Sequence, residues 1–286
     1  MRFVSCRYAG RPTLLGQLTD GYVDLCAALP TLSPSLRELL AAGPTRWQGW
    51  ADQLANQPRV ELAEVELLPP IPDPRKIICV GLNYADHARE TKAAIPEEPV
   101  IFNKFPTTLR AHGEAIVLPR ASSEVDYEAE LVVVIGRPGR HIPEDQALQH
   151  VAGYCCGHDV SARDWQKNKP QRQWLLGKSF DSFAPVGPQL VTADEIPDPH
   201  QLPIQLRLNG QTLQDSNTNQ LIFSIPRLIA YISQVCTLEV GDLLFTGTPA
   251  GVGVARDPAI FLRPGDVVEV EIGGVGLLRN PVVAED

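Results

Sequence analysis

Short apolar runs, separated by Gly, Pro, Asn or Asp, recur from residue 76 to the C-terminus. Such runs of about four to eight residues, bounded by turn formers, are typical of β-strands. The clearest are KIICVG, AELVVVIG, VAGYCCGHDV, PIQLRLNG, DLLFTG and DVVEVEIGG. Asn209-Gly210 lies at the end of one run, and this dipeptide favours the tight turn of a β-hairpin. The pattern predicts a mainly β domain.

Helical periodicity is confined to a few segments of this region. The strongest covers Ser224–Val235, where a serine suited to an N-cap precedes apolar residues at helical spacing. Weaker helical patterns cover Pro143–His150 and Ser161–Gln166. The fold class is therefore predicted to be α+β, with strands in the majority.

The first 66 residues show a different pattern, in which strand candidates precede helical stretches over Ser35–Ala42 and Arg46–Gln57. The segment LLPPIPDPRK follows, and its four prolines in ten residues disfavour a helix or a central strand. We therefore predict a small N-terminal α/β domain with its linker over residues 1–70, and a main domain over residues 71–286.

Composition and charge narrow the functional classes. With 286 residues, of which 44% are hydrophobic and 21% charged, the chain has ordinary globular usage and enough apolar material for a core. Its net charge of −9 is unlike that of a nucleic-acid-binding protein. No apolar run approaches a membrane span, and the N-terminus lacks the apolar segment of a secretory signal. We expect a soluble, cytoplasmic protein with reduced cysteines that binds neither nucleic acid nor membranes.

Several familiar catalytic motifs are absent. The chain has no G-x-S-x-G, H-E-x-x-H or G-x-G-x-x-G sequence and no C-x-x-C pair. The segment LGKS ends at Ser179, but a phosphate-binding loop would require glycine at the position of Arg172. Serine-hydrolase, zinc-protease, dinucleotide and phosphate-loop chemistry are therefore disfavoured.

The acidic residues carry a stronger signal. Glu128 and Glu130 lie two residues apart at the start of an apolar run, so on a strand both side chains point to one face. Asp159 follows a second apolar run and precedes a predicted helix. Adjacent carboxylates repel each other unless a cation or protons intervene, and an oxygen-only ligand set suits Mg²⁺, Mn²⁺ or Ca²⁺. The alternative is an edge strand with a solvated acidic face.

Other polar residues could assist such a site. His87 and Glu90 are three residues apart, so one helical face would carry both, and a carboxylate beside an imidazole makes a general base. They could equally form an exposed pair on a surface helix. Lys178 lies in the apolar segment LLGKSF, where burial without an anionic partner would be costly.

Two further segments could contact a ligand. Arg163 and Gln166 have helical i, i+3 spacing and could reach one ligand together, although Arg163 could instead pair with a surface acid. Thr248 lies in the Gly-rich segment TGTPAGVG, which could bring backbone amides and a hydroxyl to a ligand or could be a wide turn.

In their order along the chain, these segments resemble the fumarylacetoacetate hydrolase family over about residues 70–283. The resemblance is carried by VGLNYADHARE, DYEAELVVVIG, GYCCGHDVSARDWQ, WLLGKSFDSFAPVGP, SNTNQLIFS, and TGTPAGVG followed by LRPGDVVEVEI. Each motif alone is weak, whereas the ordered set is specific. The first 66 residues resemble the small, variable extension of many members.

The resemblance implies a mixed β-roll or β-sandwich-like domain, usually in a homodimer. It also implies one divalent metal ion in each active site, Mg²⁺ or Mn²⁺, with Ca²⁺ as an alternative. The family's roles are the metal ligands, a catalytic dyad on a lid that orders with ligand, an active-site lysine, and substrate contacts. By position, the resemblance assigns the metal ligands to Glu128, Glu130 and Asp159 and the catalytic dyad to His87 and Glu90. It assigns the active-site lysine to Lys178 and the substrate contacts to Arg163, Gln166 and Thr248.

The chain departs from the common family pattern in two places. His158 precedes Asp159 where many members have Asn, and RAHGEAI replaces the usual Gly-Pro-rich turn after Asn103–Pro106. The segments HDVSARDWQ, QWLLGK and SNTNQ are most similar to the branch associated with oxaloacetate keto–enol tautomerisation.

We therefore expect an enzyme that acts on a small 2-oxo acid through an enolate stabilised by the metal. Oxaloacetate tautomerase is the leading interpretation. The alternatives are C–C hydrolysis of the acylpyruvate or fumarylacetoacetate type, oxaloacetate decarboxylation, and a non-catalytic sensor that binds a dicarboxylate.

Overall fold

Eighteen strands and six α-helices make up the computed structural model, which describes all 286 residues. The strands are β1 (Arg2–Tyr8), β2 (Arg11–Leu18), β3 (Gly21–Asp24), β4 (Glu66–Leu67), β5 (Ile77–Gly81), β6 (Val100–Lys104), β7 (Leu109–Arg110), β8 (Ile116–Leu118), β9 (Val125–Asp126), β10 (Ala129–Ile135), β11 (Val151–His158), β12 (Ser161–Ala162), β13 (Ala184–Thr192), β14 (Pro203–Leu208), β15 (Gln211–Asn217), β16 (Leu243–Phe245), β17 (Val267–Ile272) and β18 (Gly276–Ala284). The α-helices are α1 (Leu25–Ala28), α2 (Leu36–Ala41), α3 (Trp50–Gln53), α4 (Ala85–Glu90), α5 (Trp174–Lys178) and α6 (Ile225–Val235). The predicted mainly β fold is confirmed.

The larger sheet has eleven strands in the order β3-β2-β1-β13-β11-β10-β16-β5-β6, with β4 beside β1 and β7 beside β13. Strand β10 is buried along its whole length between antiparallel β11 and β16. Val132 and Val134 face one hydrophobic core, and Leu131 and Val133 face another. Burial on both faces explains why this strand reads as a continuous apolar run.

The smaller sheet has five strands in the order β15-β14-β17-β18-β8. Asn209 and Gly210 join β14 to β15 with φ angles of 52° and 79°, so the predicted hairpin is confirmed. Apolar residues of β14 and β17 pack with those of β10, β11 and α6 in a core between the sheets. The two sheets therefore form a sandwich-like arrangement.

The N-terminal segment contributes strands to the larger sheet, because β1 pairs with β13. Its helices α2 and α3 pack on the face of β10 that carries Val132. The predicted helix over Arg46–Gln57 is wrong, since Gly49 adopts a left-handed conformation and separates a 3₁₀ turn (Pro44–Trp47) from α3. The division of the chain near residue 70 remains a prediction.

The other helix predictions had mixed outcomes. Helix α6 is confirmed, and the Ser224 side chain accepts the Arg227 N–H at its start. The segment Glu144–His150 forms a 3₁₀-helix. The predicted helix over Ser161–Gln166 is wrong, because β12 pairs with β9 and a π-helical turn follows over Asp164–Asn168. No helix is both long and apolar enough to cross a membrane.

Candidate active site

The three predicted metal ligands meet where β10 begins and β11 ends. Glu128 precedes β10, Glu130 is its second residue, and Asp159 follows β11. The antiparallel register sets Glu130 opposite Gly157, and the Asp159 N–H donates to the Glu128 carbonyl at 2.9 Å. One oxygen from each carboxylate can be chosen so that all three lie within 4.8 Å of one another. All three side chains are buried, which excludes the alternative of a solvated acidic edge.

Lys178, at the end of α5, is buried between two of these acids. Its Nζ donates to Glu128 Oε2 at 2.7 Å and to Asp159 Oδ2 at 2.8 Å. Burial acts to lower the pKa of Lys178, but the two carboxylates outweigh it and raise that pKa above its ordinary value. Lys178 therefore has the anionic partners that its apolar sequence context required.

A second buried lysine was missed by the sequence reasoning. Lys104 Nζ lies 2.6 Å from Asp159 Oδ1. It also donates to the carbonyls of Val160, Lys178 and Phe183 at 3.0, 2.6 and 2.8 Å. Lys104 thus ties the end of β11 to the end of α5 and orients the Asp159 carboxylate. The sequence signal was a lysine at the end of the strand-like segment PVIFNKF, which gives no indication of its partners.

Arg163 lines the cavity and forms ion pairs with two buried acids, not with an acid on the surface. Its guanidinium donates to Asp126 Oδ2 at 2.8 Å and to Glu128 Oε1 at 2.5 Å. A third nitrogen donates to Gln166 Oε1 at 2.9 Å, which brings the two predicted substrate residues together. Burial acts to raise the pKa of Glu128, but the neighbouring cations Lys178 and Arg163 outweigh burial and hold that pKa well below its usual range.

Glu130 is the one acid of the three that has no cationic partner within the protein, whereas Glu128 and Asp159 are paired with buried cations. Its Oε2 accepts the Gly247 N–H at 2.8 Å. Burial, followed by the nearby charges of Asp159 and Glu128, raises the pKa of Glu130 well above its ordinary value. A divalent cation among the three carboxylates would relieve this repulsion, and an all-oxygen donor set suits a hard ion. The residues present therefore fit a divalent metal.

The predicted dyad lies on α4. His87 Nδ1 is 3.2 Å from Glu90 Oε2, and Glu90 Oε1 accepts the Gly251 N–H at 2.9 Å. Asp86 accepts a hydrogen bond from Ser216 of β15 at 2.5 Å, which fixes α4 against the smaller sheet. With Nδ1 held by the carboxylate, Nε2 is the ring nitrogen left for proton transfer.

Thr248 is positioned by a residue that the sequence reasoning missed. Gln214 accepts the Ala129 N–H at 2.8 Å and donates to Thr248 Oγ1 at 2.8 Å and to the Pro249 carbonyl at 2.9 Å. Because Thr248 Oγ1 accepts this bond, its own proton remains available to a ligand. Gly251 of the same loop has φ of 104°, and a Cβ there would lie 2.1 Å from the Leu213 carbonyl oxygen.

These side chains surround one cavity of about 370 Å³. Seven of the predicted site residues line it: His87, Glu128, Glu130, Arg163, Gln166, Lys178 and Thr248. The two others lie behind this lining, since Asp159 holds Lys178 and Glu90 holds His87. The volume suits a small-molecule ligand.

Sequence comparison identifies the family. The chain matches the model of the fumarylacetoacetate hydrolase C-terminal domain over residues 76–283. The chain belongs to the fumarylacetoacetate hydrolase family. The resemblance inferred from the ordered motifs is therefore confirmed.

Several members of this family are similar to the chain over most of its length. Mitochondrial oxaloacetate tautomerase fahd2 of Xenopus laevis is 49% identical over 270 residues, which cover 93% of this chain and 85% of that protein. Mitochondrial oxaloacetate tautomerase FAHD2A of Homo sapiens is 47% identical over 264 residues, or 92% and 84% of the two chains. The expected cytoplasmic location is wrong by this comparison, because these relatives are named as mitochondrial proteins.

Solved structures of family members share the whole fold. Fumarylacetoacetate hydrolase from Exiguobacterium antarcticum is 36% identical with a TM-score of 0.89, and the match covers 100% of both chains. Maleylpyruvate hydrolase from Sphingobium sp. SYK-6, in complex with manganese(II) and pyruvate, is 30% identical with a TM-score of 0.84 and the same coverage.

His158, which departs from the family pattern, is a neutral buried residue. Burial, followed by the charge of Lys104, lowers the pKa of His158 to about 3. The histidine therefore adds no charge beside Asp159 at neutral pH.

Asp126 is a further family-motif residue whose part the sequence reasoning missed. Besides Arg163, it accepts the N–H groups of Tyr127, Gly253 and Val254 at 2.8, 2.7 and 3.0 Å. Asp126 thus joins the Gly-rich loop to the guanidinium that holds Glu128. Its position as the first acid of DYEAE was the available signal.

Proposed function

We propose that this family member interconverts the keto and enol forms of oxaloacetate. One observation carries the proposal: a single small cavity brings an acidic triad that fits a divalent metal within reach of a His–Glu dyad suited to proton transfer. Identities of 47–49% to oxaloacetate tautomerases, against 36% to a fumarylacetoacetate hydrolase and 30% to a maleylpyruvate hydrolase, support tautomerisation over C–C hydrolysis.

Glu128, Glu130 and Asp159 would hold the metal, for which we propose Mg²⁺ or Mn²⁺, with Ca²⁺ as the alternative. The manganese(II) and pyruvate in the similar maleylpyruvate hydrolase support a metal site that serves a 2-oxo acid. When bound, such a cation acts as a Lewis acid toward the carboxylate and the 2-oxygen of the substrate.

Lys178 and Thr248 stabilise the negative charge that develops on the 2-oxygen. The raised pKa of Lys178 makes it a donor and unsuitable as the base. Thr248 can donate its hydroxyl proton to the substrate because its Oγ1 already accepts a hydrogen bond from Gln214. Donors fixed in place before the reaction stabilise a developing oxyanion without a cost of reorganisation.

His87 moves the proton. Nε2 takes the proton from C3 of the keto form, and the electrons of the C3–H bond form the double bond of the enolate. The Glu90 carboxylate at Nδ1 stabilises the resulting imidazolium. Return of that proton to the 2-oxygen completes the enol, and the reverse sequence restores the ketone. Glu90 itself is held by the Gly251 N–H, so the dyad has a fixed orientation.

The experiment follows three reactions side by side on Mg²⁺- or Mn²⁺-loaded protein. Loss of enol-oxaloacetate absorbance, release of pyruvate, and cleavage of an acylpyruvate are measured under the same conditions. The proposal predicts that tautomerisation exceeds the other two. Dominant pyruvate release or acylpyruvate cleavage would replace it with decarboxylation or hydrolysis, and saturable binding of oxaloacetate without turnover would indicate a sensor.

We also propose a homodimer, as the family resemblance implies. Sedimentation equilibrium of the metal-loaded protein tests this, and a mass near the 31.3 kDa of one chain would contradict it. The division into residues 1–70 and 71–286 is tested by limited proteolysis of the full chain, in which a stable fragment that begins near residue 71 would support it and its absence would contradict it.

A further inference from the structure

The mouth of the cavity carries two cations that the proposed chemistry does not use. Lys167 and Arg172 both line the cavity and both are exposed. Neither side chain forms an ion pair or a hydrogen bond within the protein. Lys169, which lies between them in sequence, is different because its Nζ sits 4.5 Å above the Trp165 ring.

Local backbone structure places these two cations at the mouth. Lys167 belongs to the π-helical turn Asp164–Asn168, directly after Gln166, which is buried in the cavity wall. Arg172 follows in a left-handed conformation with φ of 56°, and its N–H donates to the Lys169 carbonyl at 3.0 Å. Non-glycine residues seldom adopt this conformation, so the backbone is strained at Arg172, whose side chain lines the cavity.

The cations deep in the cavity are already neutralised. Lys178 is shared between Glu128 and Asp159, and Arg163 between Asp126 and Glu128. The deep end of the cavity would therefore meet the 1-carboxylate and 2-oxygen of a substrate but has no spare cation for a second carboxylate. The lining also includes the apolar side chains of Val80, Trp174 and Val254, which offer no charge to a carboxylate.

We propose that Arg172 and Lys167 bind the remote carboxylate of the substrate and so select 2-oxo diacids over 2-oxo monoacids. This rests on the proposed function, because it takes the deep end of the cavity as the site of the 2-oxo acid head. Arg172 can meet a carboxylate with two parallel N–H donors, and Lys167 adds a point charge. The selectivity for a diacid thus lies at the mouth of the cavity, apart from the residues of the metal site and the dyad.

Equilibrium binding to the Mn²⁺-loaded protein tests this with the stable pair malate and lactate. Both are 2-hydroxy acids with the same chelating head, and only malate has the remote carboxylate. For Arg172→Gln and for Lys167→Gln, we expect malate affinity to fall about tenfold, as the loss of a charged hydrogen bond implies. Lactate affinity should change less than about twofold. Lys169→Gln is the matched control and should leave both affinities unchanged.

Steady-state kinetics with oxaloacetate provide the second readout. The double variant should raise KM by about tenfold or more while kcat stays within about threefold, since the reacting atoms are untouched. Arg172→Lys should recover part of the lost affinity because it restores charge without the bidentate geometry. Equal losses for malate and lactate, or unchanged affinity for both, would overturn the inference.

Failure of this inference is distinguishable from failure of the proposed function. If the wild-type protein binds oxaloacetate without tautomerising it, the proposed reaction fails. The preference for malate over lactate would still show whether Arg172 and Lys167 bind a remote carboxylate. If the wild-type protein tautomerises oxaloacetate but its variants keep that preference, the assignment of the two cations fails and the reaction stands.

Discussion

At the scale of single residues, Asp126 connects the Gly-rich loop to Arg163 of the site. Its fully buried carboxylate accepts four hydrogen bonds, including one from the Arg163 guanidinium. We expect Asp126→Asn to lower the free energy of unfolding by about 3 kcal/mol, because its amide turns N–H donors toward these N–H groups and Arg163 loses one of its two buried carboxylate partners. Chemical denaturation followed by circular dichroism measures this.

A matched control for Asp126 is the exposed Asp198, whose carboxylate is 3.4 Å from His200. Asp198→Asn should change the free energy of unfolding by less than about 0.5 kcal/mol. Equal stabilities of the two variants would show that the Asp126–Arg163 pair contributes nothing beyond a surface pair.

A second prediction at the residue scale distinguishes the role of the His87–Glu90 dyad in turnover from the role of the metal ligands in binding. His87→Gln removes the proton acceptor while leaving every predicted metal ligand in place, so kcat for tautomerisation should fall by about 10²- to 10⁴-fold. Mn²⁺ affinity, measured by titration calorimetry, should stay within about twofold of wild type. His150→Gln, at a histidine bonded to the Arg137 carbonyl on the surface, is the control and should retain full activity. Retention of turnover by His87→Gln would remove the dyad from the mechanism.

At the scale of elements, the loop after β16 depends on a position where only glycine fits. A Cβ at Gly251 would lie 2.1 Å from the Leu213 carbonyl oxygen, whereas a Cβ at Gly113 would meet no atom within 4 Å. Both glycines have positive φ, so Gly113→Ala isolates the backbone cost, which is about 1 kcal/mol. Gly251→Ala should lose at least about 2 kcal/mol more, and its kcat should fall because the Gly251 N–H holds Glu90. Equal stability of the two variants, measured by chemical denaturation, would contradict the steric argument.

The secondary-structure elements show how much of the fold could be predicted from the sequence. Strand β10, helix α6 and the Asn209–Gly210 hairpin follow from local periodicity and turn chemistry, and these were predicted correctly. The segment Ser161–Gln166 was predicted as a helix because its spacing is helical, but pairing of β12 with β9 overrides that preference. Lys104 and Gln214 reach the site through long-range contacts to Asp159 and Thr248, which no local pattern encodes.

At the scale of the whole molecule, the site lies where several independently placed elements converge. The acids come from β10 and β11, the dyad from α4, the lysine from α5, and Thr248 from the loop after β16. The sheet between two hydrophobic cores fixes β10 and β11 on both faces. A metal bound there would link these elements, so the stability of the entire fold should respond to it.

Thermal unfolding measures that response. At a free Mn²⁺ concentration of about 100 times Kd, binding to the folded state alone should add about 2.7 kcal/mol of stability. For a chain of this size, the gain corresponds to a rise in Tm of about 4–5 °C. In Glu130→Gln the rise should disappear, because one anionic oxygen donor is lost from the triad. Glu64→Gln, at an exposed position, should keep the full rise. An equal Mn²⁺-dependent rise in Glu130→Gln and wild type would place the metal elsewhere.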